Sequence, residues 1–250
     1  MGPVIQSPAQ RTVPPTTPGH YLPKPGEREY IKPPKFADKF ARLDFQAKLM
    51  PVIALYPIPE TAPLQEHRIS VCGLECTPRS ISWESCKDLE RVRIKVPLIC
   101  QIFNWVETVE WEGIRLADFL AHSGVEMHPE GFVGVYSQDG QFFEGFSVDE
   151  ANDPRMLLAT TMNGQPLPLE HGGPVRLVAP FLQGYKSVKW VNAIRATRHD
   201  PVGIKRLLAQ SKTGRLGTTW QKQYAIVPPA GRTGDPEWAE TEETKRLPKY

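Results

Sequence analysis

The residues able to do chemistry fall in two places. The longer is the stretch Leu167 to Trp190, LPLEHGGPVRLVAPFLQGYKSVKW. His171 enters Gly172-Gly173-Pro174, a turn in which the glycines let the backbone bend freely. Residues 175–180 alternate as a strand, with Arg176 facing away from Val175 and Leu177. Gly184, Tyr185 and Lys186 form a second loop, and another strand is expected from Val188. An imidazole, a guanidinium and an ammonium therefore sit on two loops joined by one short strand. Such a set suits a ligand that carries phosphate and several ring nitrogens. A hairpin with a solvated basic edge is equally open on composition.

The second place is Cys100, at the end of a predicted strand and just before residues 101–104. Taken alone, a cysteine there reads as buried and inert. Cys72 and Cys76 have the spacing of half a zinc knuckle, but no second ligand pair follows at a suitable distance. These two and Cys86 read as structural.

The elements that must hold these residues are short. Residues 68–72 alternate as a strand, and Ser82 can cap a short helix running to Leu89. Residues 91–100 put Val92, Ile94, Val96 and Leu98 on one face and Arg91, Arg93 and Lys95 on the other. Pro97 places that strand at an edge or a bulge. Residues 113–124 predict an amphipathic helix through Ile114, Leu116, Phe119 and Leu120, stopped by Gly124. Strands are expected at 132–137, 142–146 and 156–162, with turns at Gln138-Asp139-Gly140 and Asn163-Gly164. Ser147 and Glu150 make a capping box. A helix start is expected at Asp200-Pro201, with Ile204, Leu207 and Leu208 apolar. Strands and short helices alternate without a repeated βαβ spacing, which predicts an α+β fold with mixed β-sheets.

The 250 residues allow one or two domains, and 40% hydrophobic with 23% charged residues fits a soluble globular protein. Net charge is +2, which gives no case for nucleic acid. No apolar run approaches the ~20 residues of a membrane span. Four cysteines in this length do not make a disulfide scaffold. The first residues carry no basic-then-apolar signal and no twin arginine, which points to the cytoplasm; export with a partner stays open. Residues 1–48 read as an extended proline-rich arm, 49–212 as the folded domain and 213–250 as a polar tail.

The ordered string Leu167-Pro168, His171-Gly172, Pro174-Val175-Arg176, Pro180, Gly184-Tyr185-Lys186, Lys189-Trp190 resembles the sulfite oxidase superfamily, the molybdopterin-binding oxidoreductase domain. The resemblance covers about Arg68 to Thr197. It implies a single domain of that fold holding molybdenum-molybdopterin, with Cys100 as the metal ligand and catalytic residue. Trp111-Glu112-Gly113 stands where the family has its Trp-x-Gly segment after that cysteine. A thiolate is a soft donor suited to such a metal. The resemblance further implies cofactor contacts from Ser137, His171, Arg176, Gly184, Tyr185, Lys186 and Lys189. Arg176 and Lys186 are expected to reach the same anionic group, with Lys189 the weaker candidate; a plain turn serine is an equal reading of Ser137, and Tyr185 has packing as its alternative.

The implied reaction is two-electron oxygen-atom transfer on a small substrate, with electrons passed to or from a separate carrier protein. Sulfite oxidases follow the metal cysteine with Ala-Gly-Asn and arginines that hold the anion. Here Gln101-Ile102-Phe103-Asn104-Trp105 follows, with no cation, which sets this chain apart from sulfite as substrate. A non-catalytic binding subunit that has lost the cofactor is the alternative. The joint presence of Cys100, His171, Arg176 and Lys186 speaks against it.

Overall fold

The structure, a computed structural model, describes residues 4–5, 53–54, 58–74, 77–100, 105–207 and 213–229. Its strands are β1 (Val4–Ile5), β2 (Ile53–Ala54), β3 (Arg68–Cys72), β4 (Arg79–Ser82), β5 (Val92–Cys100) and β6 (Trp105–Arg115) in the first half. There follow β7 (Phe132–Ser137), β8 (Phe143–Ser147), β9 (Leu157–Met162), β10 (Gln165–Pro166), β11 (Arg176–Val178) and β12 (Val191–Thr197). The helices are short: α1 (Leu116–His122), α2 (Val148–Ala151), α3 (Ile204–Leu207) and α4 (Thr218–Gln223). One sheet runs β10-β9-β6-β5, with β11 also on β9; the other runs β4-β3-β12-β7-β8. In the second sheet β12 lies parallel to β3 and antiparallel to β7. The fold is α+β with mixed pairing, as the irregular alternation predicts. β1 pairs with β2, so Val4 and Ile5 of the expected arm lie beside Ile53 and Ala54.

The core takes side chains from both sheets and from α1. Ile69, Val71, Val133, Val135 and Ile194 come from one sheet, Ile114, Leu158 and Leu177 from the other, and Leu116, Phe119 and Leu120 from the helix. Each such side chain contributes roughly 1.5–3 kcal/mol of transfer free energy. Strand β5 follows its sequence pattern: Arg93 and Lys95 are exposed, while Val92, Ile94 and Val96 are half-buried. It is an edge strand, so the missing N–H of Pro97 deprives no second neighbour of a bond.

Several expectations need correction. The helix expected from Gly113 starts only at Leu116; Ile114 is a strand residue in β6. The register with β9 prevails there, since Gly113, Ile114 and Arg115 face Ala159, Leu158 and Leu157 across a bulge. Gly113 fits because a Cβ at that point would lie 2.1 Å from the Leu158 carbonyl oxygen. The helix does stop at Gly124, whose φ of +60° is in the left-handed region. The strand expected from Val188 starts at Val191, because residues Gly184–Lys186 form a 3-10 turn and Trp190 has a φ of 53°. It joins the other sheet, so β11 and β12 are not a hairpin. The helix after Pro201 begins at Ile204. Beyond residue 212, where the sequence suggests a polar tail, α4 forms and Leu216 is buried against Ile99. Among the described residues no helix is long and apolar enough to cross a membrane.

Candidate functional site

Arg176 opens β11 and is buried like its neighbours Val175 and Leu177, so it does not sit on a solvated edge. Its Nη1 donates to the His171 carbonyl at 2.8 Å and its Nη2 to the Ser187 carbonyl at 3.2 Å. The guanidinium carbon lies 4.8 Å from the centre of the fully buried Trp111 ring. Its Nε has no acceptor among the described residues, and none of their carboxylates pairs with it. A cation is therefore held in the interior by carbonyl oxygens and an aromatic face. Burial lowers its pKa to about 10.

The second cation is Lys189, half-buried, with its Nζ donating to the Glu170 carbonyl at 2.9 Å. Burial and the nearby Arg176 charge pull its pKa down to about 7, against the opposing pull of Glu170. Its place is set by the residues on either side of the turn. His171 ends the 3-10 turn Leu169–His171, and Gly172 closes it with a φ of 105°. A Cβ on Gly172 would come within 2.9 Å of the Lys189 side chain, so glycine is needed for both the φ and the approach. Trp190 holds the other side: its ring Nε1 donates to the Leu169 carbonyl at 2.7 Å and its backbone N–H to Gly172 at 3.1 Å. A non-glycine residue in the left-handed region persists where its surroundings over-determine it. Its carbonyl accepts from Gln138, which brings the end of β7 to the same point. Ser137, buried at that end, lies opposite Val191 and accepts from the Asp139 N–H at 3.3 Å. His171 is itself buried, 1% exposed, and its carbonyl is one of the two that hold Arg176.

Lys186 goes elsewhere, and here the expectation that it shares an anion with Arg176 is corrected. Its Nζ lies 3.3 Å from Glu144 Oε2, donates to the Gly145 carbonyl and stands 4.4 Å from the Phe146 ring centre. Arg206 Nε donates to the same Glu144 oxygen at 3.0 Å, and its Nη1 and Nη2 reach Asp200 at 2.7 and 2.8 Å. Lys186, Glu144 and Arg206 are all fully buried. The charges balance inside this cluster, which ties the 184–186 turn to β8 and to the segment before α3. Desolvation and Arg206 nevertheless lower Lys186 to about 8. Tyr185, between the two, has its phenol pushed above its usual range by burial and by Glu144, so it stays neutral.

Gly184 brings this turn to the second place read from the sequence. A Cβ there would lie 2.7 Å from the Ile99 carbonyl oxygen, in contact with the strand that ends at Cys100. Cys100 faces Trp105 in the backbone register. Its side chain, and residues 101–104, lie outside the described residues, as does Cys76. Cys86 is buried in the core and Cys72 is half-buried, as structural cysteines would be. Among the described residues no group of three or more His, Cys, Asp or Glu could hold a metal.

The site that results has Arg176 and Lys189 together, with His171, Ser137 and Trp111 around them. Sequence reasoning ranked Lys189 below Lys186, because nothing local says which of two lysines three residues apart finds a carboxylate. Ser187, whose carbonyl holds Arg176, carries no signal that single-sequence reading could use, and Trp190 enters the resemblance only as a motif residue, with nothing to show that it sets the place of Lys189. Two neighbouring cations, both lowered by burial and the lysine also by the arginine's charge, suit an anionic group entering from outside the chain.

The sequence model of the family described as oxidoreductase molybdopterin binding domain matches residues 55–204. An uncharacterised oxidoreductase of Bacillus subtilis, YuiH, is 29% identical over 69% of this chain and 85% of its own length. The methionine-sulfoxide reductase catalytic subunit MsrP of Gluconobacter oxydans is 27% identical over 75% of this chain, which spans 60% of that protein. Human mitochondrial sulfite oxidase is 40% identical over 55% of this chain, but only 30% of that protein is covered. Among solved structures, the sulfane dehydrogenase SoxCD of Paracoccus pantotrophus is similar with a TM-score of 0.50 and 25% identity, over 58% of this chain and 41% of that one.

Proposed function

Since the chain belongs to the oxidoreductase molybdopterin-binding domain family, we propose that it carries out two-electron oxygen-atom transfer on a small substrate and exchanges the electrons with a separate protein. The family cofactor is molybdenum-molybdopterin, and the residues present fit it. The single observation that carries this reading is Arg176: a buried guanidinium with no Nε acceptor and no carboxylate partner among the described residues, and a second cation, Lys189, beside it. A phosphate would complete that arrangement with charge-assisted bonds. His171, Arg176 and Lys189 would hold the anionic and ring parts of the group. Ser137, Gly184 and Tyr185 would line it, and the Cys100 thiolate would be the metal's protein ligand.

Bound there, the cofactor supplies the redox chemistry; the chain supplies position, electrostatics and exclusion of water. Trp111 covers the buried Arg176 guanidinium, which strengthens its charged contacts, while Lys189 is half-buried beside it. The sequence after Cys100 has no cation at residues 101–104. A neutral substrate, such as the sulfoxide that names the Gluconobacter relative, therefore suits it better than a compact oxyanion. The test is to produce the full chain in a molybdenum-replete host, measure metal and pterin per folded protein, and compare sulfite with a thioether and its sulfoxide using dye electron carriers. Molybdenum near one per chain with turnover of the sulfur couple is expected. Protein free of both metal and pterin would overturn the reading, and a strong preference for sulfite would overturn its substrate half.

A further inference from the structure

The segment 213–229 lies beyond the stretch matched by the family model, 55–204, and composition alone marks it as a tail. The structure gives it a defined seat between the two halves of the site. The Gln183 N–H donates to the Gly214 carbonyl at 2.8 Å, and the Gln183 side-chain Nε2 donates to the Arg215 carbonyl at 3.0 Å. Leu182 and Arg215 form an antiparallel bridge. Gly214 has a φ of +77°, and a Cβ there would come within 2.6 Å of the Lys186 side chain; the segment thus lies directly on that lysine's methylenes. One residue pair further, Leu216 is 2% exposed and packs on Ile99, 1% exposed, the neighbour of Cys100. Trp220, Tyr224 and Ile226 of the same segment cover this pair. The two rings stack at 5.9 Å and 17°, and the Gln221 side chain donates to the Leu216 carbonyl at 2.6 Å.

These contacts are of two kinds and fall on two different partners. Hydrogen bonds run to the turn that precedes the Arg176-facing loop, and apolar packing runs to the last turn of residues before the cysteine. The turn and the strand also touch each other directly, Gly184 against the Ile99 carbonyl. Nothing else in the described C-terminal part of the chain spans both. We propose that residues 213–229 are a clamp, with Leu216 as its positioning residue, that fixes the 183–186 turn against the end of β5 and so keeps the cofactor's cation loop and its cysteine at a set separation. The consequence for cofactor retention rests on the functional reading above; the mechanical part does not.

The test uses the full chain carrying Leu216→Ala, Leu216→Met, Gln183→Ala, and, as a control on the same segment, Val227→Ala, whose side chain is 71% exposed. Hydrogen–deuterium exchange on apoprotein is read first. Leu216→Ala should speed exchange of the Gln183 amide about tenfold while the β7 and β12 amides keep their protection, the mark of local opening. Leu216→Met should restore it, being close in volume, and Val227→Ala should change nothing. In cofactor-loaded protein, Leu216→Ala and Gln183→Ala should release pterin faster and show a smaller gain in Tm from cofactor than wild type. Unchanged exchange at Gln183 overturns the clamp. So does a uniform rise in exchange with an undiminished cofactor-induced Tm gain, which would make Leu216 a packing residue only. Should Leu216→Ala not fold, Gln183→Ala, which keeps the main-chain bond and removes one side-chain bond, decides by the same readouts. A wild type without molybdenum would sink the functional reading, and the apoprotein exchange would still decide the clamp.

Discussion

If the Lys189 ammonium receives an anionic group of the cofactor, binding must be coupled to protons above neutral pH. In the apoprotein Lys189 has a pKa near 7 instead of 10.5, because burial and the Arg176 charge disfavour its ammonium form. An anion between the two cations reverses both causes and returns the lysine toward its ordinary value. At pH 7 about half of the ammonium is already present, so binding takes up about half a proton, and well below pH 7 it takes up little. At pH 8 about 0.9 proton must be taken up per anion bound, and affinity should fall about tenfold for each further pH unit until the bound-state pKa is reached. The assay is titration calorimetry of apoprotein with pyrophosphate, as a stand-in for the phosphate end, in two buffers of different ionisation heat at pH 6.5, ~8 and ~9. Lys189→Arg keeps the charge without a titration in this range and should show only the pH dependence of pyrophosphate's own ionisation, against which the wild type is compared; Lys189→Met should bind weakly throughout. Lys186 titrates nearby, at about 8, but its carboxylate partner Glu144 is internal, so Lys186 contributes no uptake on binding. A wild-type uptake that survives in Lys189→Arg would refute the assignment. For stability the sign is opposite. Between pH 7 and 10.5 the unfolded chain holds the Lys189 proton and the folded one sheds it. Apoprotein stability on this account therefore rises with pH across that window, and the full cost of the buried charge is felt below it.

Cys100→Ser should purify folded but without turnover, and any molybdenum it retains should lack the thiolate charge-transfer absorption; Cys72→Ser should keep both, and full activity in Cys100→Ser would remove the ligand role. Arg176→Met leaves the His171 and Ser187 carbonyls without their donor. It should lower apoprotein stability by about 2 kcal/mol and pterin content per folded chain more than tenfold, with urea unfolding and pterin fluorescence as the measurements. Glu144→Gln leaves Lys186 and Arg206 buried with Asp200 alone, for a loss of about 3–5 kcal/mol, seen as a lower urea midpoint; a shift under ~1 kcal/mol would mean that the cluster is hydrated. Gly172→Ala must place a methyl in the left-handed region against Lys189, costing about 1–3 kcal/mol and weakening pyrophosphate binding along with it.

What the sequence makes legible follows from how local each cause is. The β5 alternation, the Ser147–Glu150 capping box and the stop at Gly124 depend on residues within one turn or one strand, and each stands where the pattern places it. The helix expected from Gly113 does not start there, because the register of 113–115 with 157–159 is a contact across more than forty positions of chain. Likewise the alternation that turns Arg176 away from Val175 and Leu177 counts only the strand's own neighbours. It cannot see that Trp111 of β6 and the carbonyl of Ser187 close over that face. The same limit hides the clamp. Residues 213–229 are polar by composition, but Leu216 and Trp220 need only one apolar partner, Ile99, to seat them.

The two lysines of the 183–190 loop show why a site cannot be read from residue types alone. Lys186 and Lys189 differ by three positions, and in both desolvation is the largest cause of a lowered pKa. Their fates differ through what meets them. Lys186 lies in a 3-10 turn that faces β8, where Glu144 neutralises it and Arg206 and Asp200 complete a closed set of charges. Lys189 comes after that turn has ended and just before the left-handed Trp190, which swings it toward Glu170 and Arg176. A cation enclosed by its own carboxylate fixes structure, because separating the pair leaves a buried charge. A cation facing another cation is costly until an anion arrives, and that cost is what gives the arriving anion its grip. The order of the two along the chain therefore divides the labour. The first lysine anchors the loop to the second sheet, and the anchored loop then holds the second lysine where the apoprotein keeps it only partly charged near neutral pH.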